Sequence, residues 1–195
     1  MNTKQKGNNF ERDCSRMLSL WWTDGKRDDA IWRSASSGAL TTVGKGRYLA
    51  HTGDFAATDG EAELLFKHVI IEAKRGYNRY SVQDLLDVPE KSRLGNPVWD
   101  MFSKLTRACL SQRKLGLLLW KRDRRHLLSF FVDYRGIWNP VEVEKIPHIC
   151  FRGFDTCIHG ALWNDFSVIV SADRLRSLLM PPVALSAPML SNLAP

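Results

Sequence analysis

Three side chains that could form a charged reaction centre lie close together in the sequence. Asp54 follows a glycine, and Glu72 and Lys74 end an apolar run that begins at His68. Alternate side chains of a strand share a face, so Glu72 and Lys74 are expected to project together. Their burial at the end of an apolar strand is costly unless they have partners, and a metal ion and a phosphate would supply them. Hard oxygen ligands of this kind favour Mg²⁺ or Mn²⁺.

Two short strands are expected to position these side chains. The run from His68 to Lys74 predicts a central buried strand, and Gly53 to Thr58 predicts a second short strand that carries Asp54 at its end. If the two strands pair, the Asp54 carboxylate can meet Glu72 around one divalent ion.

Two other groups of side chains are weaker candidates for a metal site. Three acidic residues beside Gly60 are alternative ligands, but Gly60 favours a solvated turn there: Asp59, Glu61 and Glu63. A hairpin that paired Cys150 with Cys157 would also pair His148 with His159, and these four side chains could bind zinc. Their spacing matches no common zinc module, so the zinc site stays open and outside the predicted centre.

The remaining chain predicts an α/β fold with a mixed central sheet, flanking helices and additional C-terminal strands. The first helix carries Phe10, Cys14, Met17, Leu18 and Trp21 at helical spacing, with Asn8 and Asn9 at its start and Gly25 at its end. A loop is expected over Ser36–Gly46. The other predicted strands are Ala30–Ser34, Leu115–Trp120, Leu127–Tyr134, Ile146–Phe151, Thr156–Ala161 and Ser167–Val170, and the other helices are Pro97–Lys114 and Asp173–Met180.

Composition indicates one globular domain with an acidic partner. The 195 residues are 44% hydrophobic and 25% charged, and residues 1–180 are expected to form one domain followed by a proline-rich tail, Pro181–Pro195.

The net charge of +7 favours nucleic acid as a partner, because Lys and Arg release counterions from phosphates. No apolar run has membrane-spanning length, Met1–Asn9 lacks a secretory signal, and four scattered cysteines favour reduced thiols. A soluble cytoplasmic protein is therefore expected.

Two sets of surface candidates have ordinary alternatives. Lys121, Arg122, Arg124 and Arg125 follow an apolar strand, and they either contact a phosphate backbone or form a solvated hairpin tip. The seven tryptophans could include a base-stacking surface, but aromatic residues at apolar spacing more often belong to the core.

Three motifs resemble those of known nucleases. Gly53-Asp54-Phe55 followed by Ile71-Glu72-Ala73-Lys74 resembles the PD-(D/E)xK nuclease superfamily, although Gly53 stands where the motif name has proline. Lys6-Gly7-Asn8-Asn9-Phe10-Glu11 and Arg33-Ser34-Ala35-Ser36-Ser37-Gly38 resemble segments of archaeal-type Holliday-junction resolvases and related phage and restriction enzymes. The resemblance spans Lys6 to about Arg122.

This resemblance implies a restriction-endonuclease-like fold and a role for each matching residue. Asp54 and Glu72 would hold Mg²⁺ or Mn²⁺, Lys74 would orient the nucleophile, and Glu11 would hold or tune the metal. Ser36 or Ser37 would contact the scissile phosphate, and Arg33 would clamp a neighbouring one.

The resemblance also implies a magnesium-dependent endodeoxyribonuclease that hydrolyses DNA phosphodiesters in a bacterial or phage-infected cell. Resolvases of this type cut Holliday junctions in DNA recombination as symmetric dimers, so a structure-selective homodimer is expected. The alternative is a catalytically inactive DNA-binding or packaging protein that retains the nuclease fold.

Overall fold

Helices and strands follow one another in the order of an α/β protein. The computed structural model describes residues 3–34, 51–84, 95–133, 146–153 and 156–179. In chain order the elements are α1 (Thr3–Trp22), β1 (Ile31–Arg33), β2 (His51–Thr52), β3 (Phe55–Ala57), α2 (Gly60–His68), β4 (Val69–Arg75), α3 (Pro97–Gln112), β5 (Leu115–Lys121), β6 (Leu127–Asp133), β7 (His148–Gly153), β8 (Thr156–Leu162), α4 (Trp163–Ile169) and α5 (Ala172–Leu179).

Within the described residues, the main sheet has five strands in the order β4-β5-β6-β8-β7. β4 and β5 are parallel, and every other neighbouring pair is antiparallel. This mixed sheet with flanking helices is consistent with a restriction-endonuclease-like fold, and β7 and β8 are the additional C-terminal strands that the sequence predicted.

Helices cover both faces of this sheet, each above its own hydrophobic cluster. On one face, Ile71 and Phe131 pack against α1, α2, α4 and α5. On the other face, Leu118 and Phe130 pack against α3, where Phe102 meets Phe130 edge to face with ring centroids 5.0 Å apart. The sheet is therefore the middle layer of three.

The strand β4 lies at an edge of the sheet, although the sequence predicted a central strand. Its apolar run reflects burial of both faces. Ile71 belongs to the hydrophobic cluster that includes α1, which we call the α1 cluster, and Ile70 belongs to the cluster that includes α3, which we call the α3 cluster. A hydrophobic pattern indicates which faces of a strand are buried, but it does not indicate how many strands pair with it. The prediction was therefore wrong about the position of β4 in the sheet.

A separate small sheet with the order β1-β3-β2 lies next to β4. The predicted strand from Gly53 to Thr58 is confirmed only for β3, and Asp54 precedes this strand instead of ending it. β3 pairs antiparallel with β1 and β2, while Gly53 alone forms a parallel bridge to Ile71 of β4. The predicted pairing with β4 is therefore reduced to a single crossing point.

The first helix begins five residues earlier than its sequence indicated. α1 starts at Thr3, so Asn8 and Asn9 lie inside the helix and do not cap it. The Asn8 side chain accepts a hydrogen bond of 2.9 Å from Arg33 of β1, which gives this polar residue a tertiary partner. The predicted end is confirmed, because α1 stops at Trp22 and Gly25 follows with a left-handed φ of 79°.

Two segments after β3 and β8 were predicted incorrectly. The expected turn at Asp59 to Glu63 is the start of helix α2, which Asp59 caps by accepting hydrogen bonds from Glu61 and Ala62. The expected strand Ser167–Val170 lies largely in α4. Its β-branched residues favoured a strand, but burial of Trp163 and Phe166 in the core at helical spacing decides the structure.

The other predicted helices are confirmed within two residues at each end, as α3 and α5. The predicted loop Ser36–Gly46 and tail Pro181–Pro195 lie outside the described residues, and a single domain over residues 1–180 stays a prediction. No helix in the described ranges is both long and apolar enough to cross a membrane.

The four cysteines all lie in the described residues and form no disulfide, and their burial predicts unequal reactivity. Burial raises the pKa of Cys109 to about 12 and also raises the pKa of Cys14, whereas Cys150 is exposed. We expect iodoacetamide to alkylate Cys150 rapidly at about pH 8, because the thiolate is the reactive form. Cys14 and Cys109 should react only after unfolding in guanidinium. Peptide mass spectrometry checks this, and equal rates for Cys109 and Cys150 in the native protein would contradict the packing described.

Candidate active site

Strand β4 carries Glu72 and Lys74 on one face, as the alternation predicted. Ile71 and Ala73 are buried on the opposite face in the α1 cluster. Ile70, on the same face as Glu72, packs against α3. The side chains of Glu72 and Lys74 are 27% and 31% exposed, so they are partly buried and still reachable from solvent.

The turn at Gly53 and Asp54 brings the third charged side chain to the edge of β4 that faces away from β5. The Asp54 N–H donates a hydrogen bond of 3.0 Å to the carbonyl oxygen of Ile71. The Asp54 Oδ2 atom then accepts a bond of 2.9 Å from the N–H of Ala73. Backbone and side chain of Asp54 therefore both bind β4, which fixes its carboxylate beside Glu72 and Lys74.

Lys74 joins the two carboxylates. Its Nζ atom lies 2.6 Å from Glu72 Oε2 and 3.3 Å from Asp54 Oδ2. Two negative charges and one positive charge leave a net charge of about −1 at the centre, so the group retains electrostatic attraction for a cation.

Burial and mutual repulsion set the charge states of these groups. Burial raises the pKa of Glu72, the nearby Asp54 carboxylate raises it further, and Lys74 partly opposes both effects. Burial acts to lower the pKa of Lys74, but Asp54 and Glu72 outweigh it and raise that pKa above its usual value. Lys74 is therefore a protonated hydrogen-bond donor and not a base.

A comparison with protein families shows the family of this chain. Residues 2–140 match the family model described as "Phage putative PDDEXK endonuclease". The chain belongs to this family. No curated protein and no solved structure matches the chain. Membership supports the resemblance to the PD-(D/E)xK superfamily, and the match ends before β7, β8, α4 and α5.

The geometry explains why this PDDEXK family member has glycine where the motif name has proline. Gly53 has a φ of 75°, a left-handed conformation that the proline ring cannot adopt. A Cβ atom at this position would approach the Ile71 carbonyl oxygen more closely than real Cβ contacts do, and would lie 3.2 Å from Glu72 Oε1. Glycine is therefore required for this close crossing of β4.

A cavity of about 300 Å³ opens beside Glu72 and Lys74, between β4 and α3. Its lining residues are Ile70, Glu72, Lys74, Met101, Lys104, Leu105 and Ala108. Lys104, an exposed residue of α3, was not predicted from the sequence. The available signal was its position three residues after Met101 and next to Leu105, which places a cation at the edge of the buried stripe of an amphipathic helix.

Glu11 lies in a neighbouring ion pair. Its carboxylate pairs with the Arg33 guanidinium, which also donates a hydrogen bond to Asn8. In the described part of the chain, no three His, Cys, Asp or Glu side chains are placed to hold one metal ion. The structure therefore brings Asp54, Glu72 and Lys74 together and places Glu11 with Arg33, so a metal-binding role for Glu11 stays a prediction.

The segment of Arg33 and Ser34 supports Asp54 through Ser34, which was not among the predicted site residues. Ser34 is buried, and its N–H donates a hydrogen bond of 2.8 Å to the Asp54 carbonyl oxygen. Its Oγ atom donates to the Gly53 carbonyl oxygen at 3.1 Å. Ser36 and Ser37, the predicted phosphate contacts, lie outside the described residues.

The hairpin of β7 and β8 does not have the register that the zinc hypothesis assumed. Cys150 pairs with His159 and Arg152 pairs with Cys157, a shift of two residues from the expected pairing. The cysteines and histidines named in the hypothesis are all described, and they form no group of three metal-binding side chains. The predicted pairing was wrong, and the structure gives the zinc site no support.

Substitution of Gly53 by alanine tests the close crossing at β4. We expect Gly53→Ala to lower the free energy of unfolding by more than the roughly 1–2 kcal/mol that a left-handed residue with a Cβ atom costs, because its Cβ also meets Ile71. Gly25→Ala is a matched control, since Gly25 has a φ of 79° and open space around its Cβ position. Guanidinium denaturation measures both, and an equal loss in the two variants would contradict the close contact.

Proposed function

We propose that this PDDEXK family member is a metal-dependent endonuclease that hydrolyses phosphodiester bonds of DNA. The observation that carries the proposal is the cluster of Asp54, Glu72 and Lys74, in which one ammonium group contacts two carboxylates. Family membership supports nuclease chemistry, and the net charge of +7 suits a nucleic acid substrate.

The donor set fits a divalent cation with a preference for oxygen. Asp54 and Glu72 supply carboxylate oxygens, the ligands that Mg²⁺ and Mn²⁺ prefer, and the cluster retains negative charge after Lys74 is counted. When bound, the metal would lower the pKa of a water ligand and offset phosphate charge. Glu11 would tune the site through its pair with Arg33.

Residues of this chain would position the groups that react. The water oxygen forms a bond to phosphorus and gives up a proton, one bond from phosphorus to a sugar oxygen breaks, and the leaving oxygen takes a proton. Lys74, held protonated by two carboxylates, would orient the nucleophile and stabilise charge that develops on the phosphate. Lys104 would contact the phosphate from the α3 side of the cavity.

Several finer assignments belong to this proposal. Ser36 and Ser37 would contact the scissile phosphate, and Arg33 would hold a neighbouring phosphate or, as its pair with Glu11 favours, stabilise the site. A resolvase-like preference for branched DNA and a homodimer that places two sites on two strands are further parts of it. The alternative, an inactive DNA-binding protein, has no specific observation in its favour.

A cleavage assay tests the proposal. Purified protein is incubated with Mg²⁺ and with a panel of Holliday junctions, flaps, linear duplexes and single strands. We expect cleavage of at least one DNA, loss of cleavage in EDTA, and recovery when Mg²⁺ or Mn²⁺ is restored. Binding of these DNAs without cleavage under all metal conditions would favour the inactive alternative.

Removal of either carboxylate charge should abolish cleavage. We expect Asp54→Asn and Glu72→Gln each to lower the cleavage rate by roughly a thousandfold or more while DNA binding is largely retained, because each removes a metal ligand. Glu61→Gln, at an exposed carboxylate in the first turn of α2, is the control and should match the parent protein. Normal cleavage by either of the first two variants would exclude that residue from the site.

Lys74 should affect the rate of reaction more than the fold. We expect Lys74→Ala to lower the single-turnover rate by roughly a hundredfold or more with a similar melting temperature in Mg²⁺, because a preorganised donor is lost. Lys67→Ala, which removes an exposed cation of α2, controls for net charge. A large loss of stability with a normal rate in the folded fraction would instead show that Lys74 only neutralises the carboxylates.

A further inference from the structure

The chain leaves β4 through a turn that is fixed against the β5–β6 hairpin. The Gly76 N–H donates to the Lys121 carbonyl oxygen at 2.9 Å, and the Asn78 Oδ1 atom accepts from the Asp123 N–H at 2.8 Å. The Arg122 guanidinium donates to the Tyr80 carbonyl oxygen at 2.7 Å. We call this surface, residues 75–80 with residues 121–126, the exit corner. Its hydrogen bonds hold the two surface turns in a fixed position relative to each other.

The exit corner is rich in exposed cations. Arg75, Arg79, Arg124 and Arg125 are exposed there, and Lys6 of α1 lies near enough to act on the Asp123 carboxyl. The Asn78 hydrogen bond, together with the charges of Lys6 and Arg75, lowers the pKa of Asp123. The Asp123 carboxylate is therefore bound to other residues of the corner. The positive charges of the arginines exceed its single negative charge.

Tyr77 belongs to this corner and has an unusual backbone conformation. It has a φ of 57° and is 38% exposed, three residues after Lys74. A bulky residue rarely adopts this left-handed conformation, and such outliers cluster at functional sites where surrounding contacts hold them. Hydrogen bonds on both sides, from Gly76 and Asn78, hold the turn. An exposed aromatic residue is thus held in the turn that directly follows β4, the strand of Glu72 and Lys74.

We propose that the exit corner binds an unpaired stretch of DNA strand beside the scissile phosphate, with Tyr77 stacked on a base and Arg79 and Arg125 contacting phosphates. A base face is open to stacking only where the base is not enclosed in a duplex, whereas cations alone would serve any DNA backbone. The combination of aromatic ring and cations therefore selects substrates with unpaired nucleotides. This inference rests on the proposed function and defines its substrate class.

Fluorescence anisotropy with two labelled probes tests this proposal. The probes are an oligo-dT strand and a fully paired duplex of the same length, each titrated with full-length Asp54→Asn protein to prevent cleavage. In this background, Tyr77→Ala should weaken dT binding by about tenfold or more and duplex binding by less than about twofold, while Tyr77→Phe retains both. Melting temperatures verify that each variant is folded.

The cation contacts are tested by salt dependence. Arg79→Ala and Arg125→Ala should each reduce the slope of log affinity against log salt by about 0.7 on the dT strand. Lys67→Ala is the charge-matched control, because Lys67 precedes β4 and lies at the opposite end of the strand from the exit corner. It should leave the slope unchanged.

Three results would overturn the proposal. They are dT binding unaffected by Tyr77→Ala, equal loss on both probes, and arginine variants that match Lys67→Ala. These outcomes are distinct from failure of the proposed function. If the protein with Asp54 intact cleaves DNA while the Tyr77 and arginine variants bind like their parent, only the role of the exit corner is wrong.

Discussion

The crossing of the Gly53–Asp54 turn over the edge of β4 is the contact on which the candidate site depends. An edge strand presents unpaired backbone groups, and here Asp54 binds two of them, the Ile71 carbonyl oxygen and the Ala73 N–H. The same two bonds set the position of a carboxylate beside the Glu72 side chain. Edge protection and site assembly are therefore one interaction, which is why the turn tolerates only glycine at position 53.

Once the carboxylates are adjacent, charge balance determines what the cluster can do. Lys74 neutralises only one of two negative charges and stays protonated between them. A cation-binding centre with a fixed donor next to it matches the needs of phosphodiester hydrolysis, where negative charge must be offset before water can attack. The cationic exit corner begins at the residue after Lys74, so substrate binding and chemistry would share the end of one strand.

The sequence predicted those parts of the fold whose causes are local. The apolar run of β4 and the helix predicted from Pro97 depend on nearby residues, and the structure confirms both elements. The sharing of a face by Glu72 and Lys74 follows from strand geometry alone. The meeting of Asp54 with β4 was predicted on the condition that two strands pair, and the actual contact, one bridge at Gly53, required the structure.

The failures arise where tertiary contacts outweigh local preference. Asn8 lies inside α1, where its side chain accepts a hydrogen bond from Arg33, and Val168 lies in α4, whose Trp163 and Phe166 are buried. Lys104 joins the cavity only because α3 packs across β4. The strand register that separates Cys150 from Cys157 likewise could not be read from spacing, since a shift of two residues preserves the same faces.

Calorimetric titration with Mn²⁺ tests most directly whether Asp54 and Glu72 form a metal centre. The parent protein is compared with Asp54→Asn, Glu72→Gln and the surface control Glu61→Gln, all without DNA. We expect a single Mn²⁺ site in the parent and in the control. The affinity for Mn²⁺ should be weakened by roughly a hundredfold or more in both site variants, because each loses a charged ligand. Equal Mn²⁺ affinity in all four proteins, or binding that is lost only in the control, would contradict this expectation.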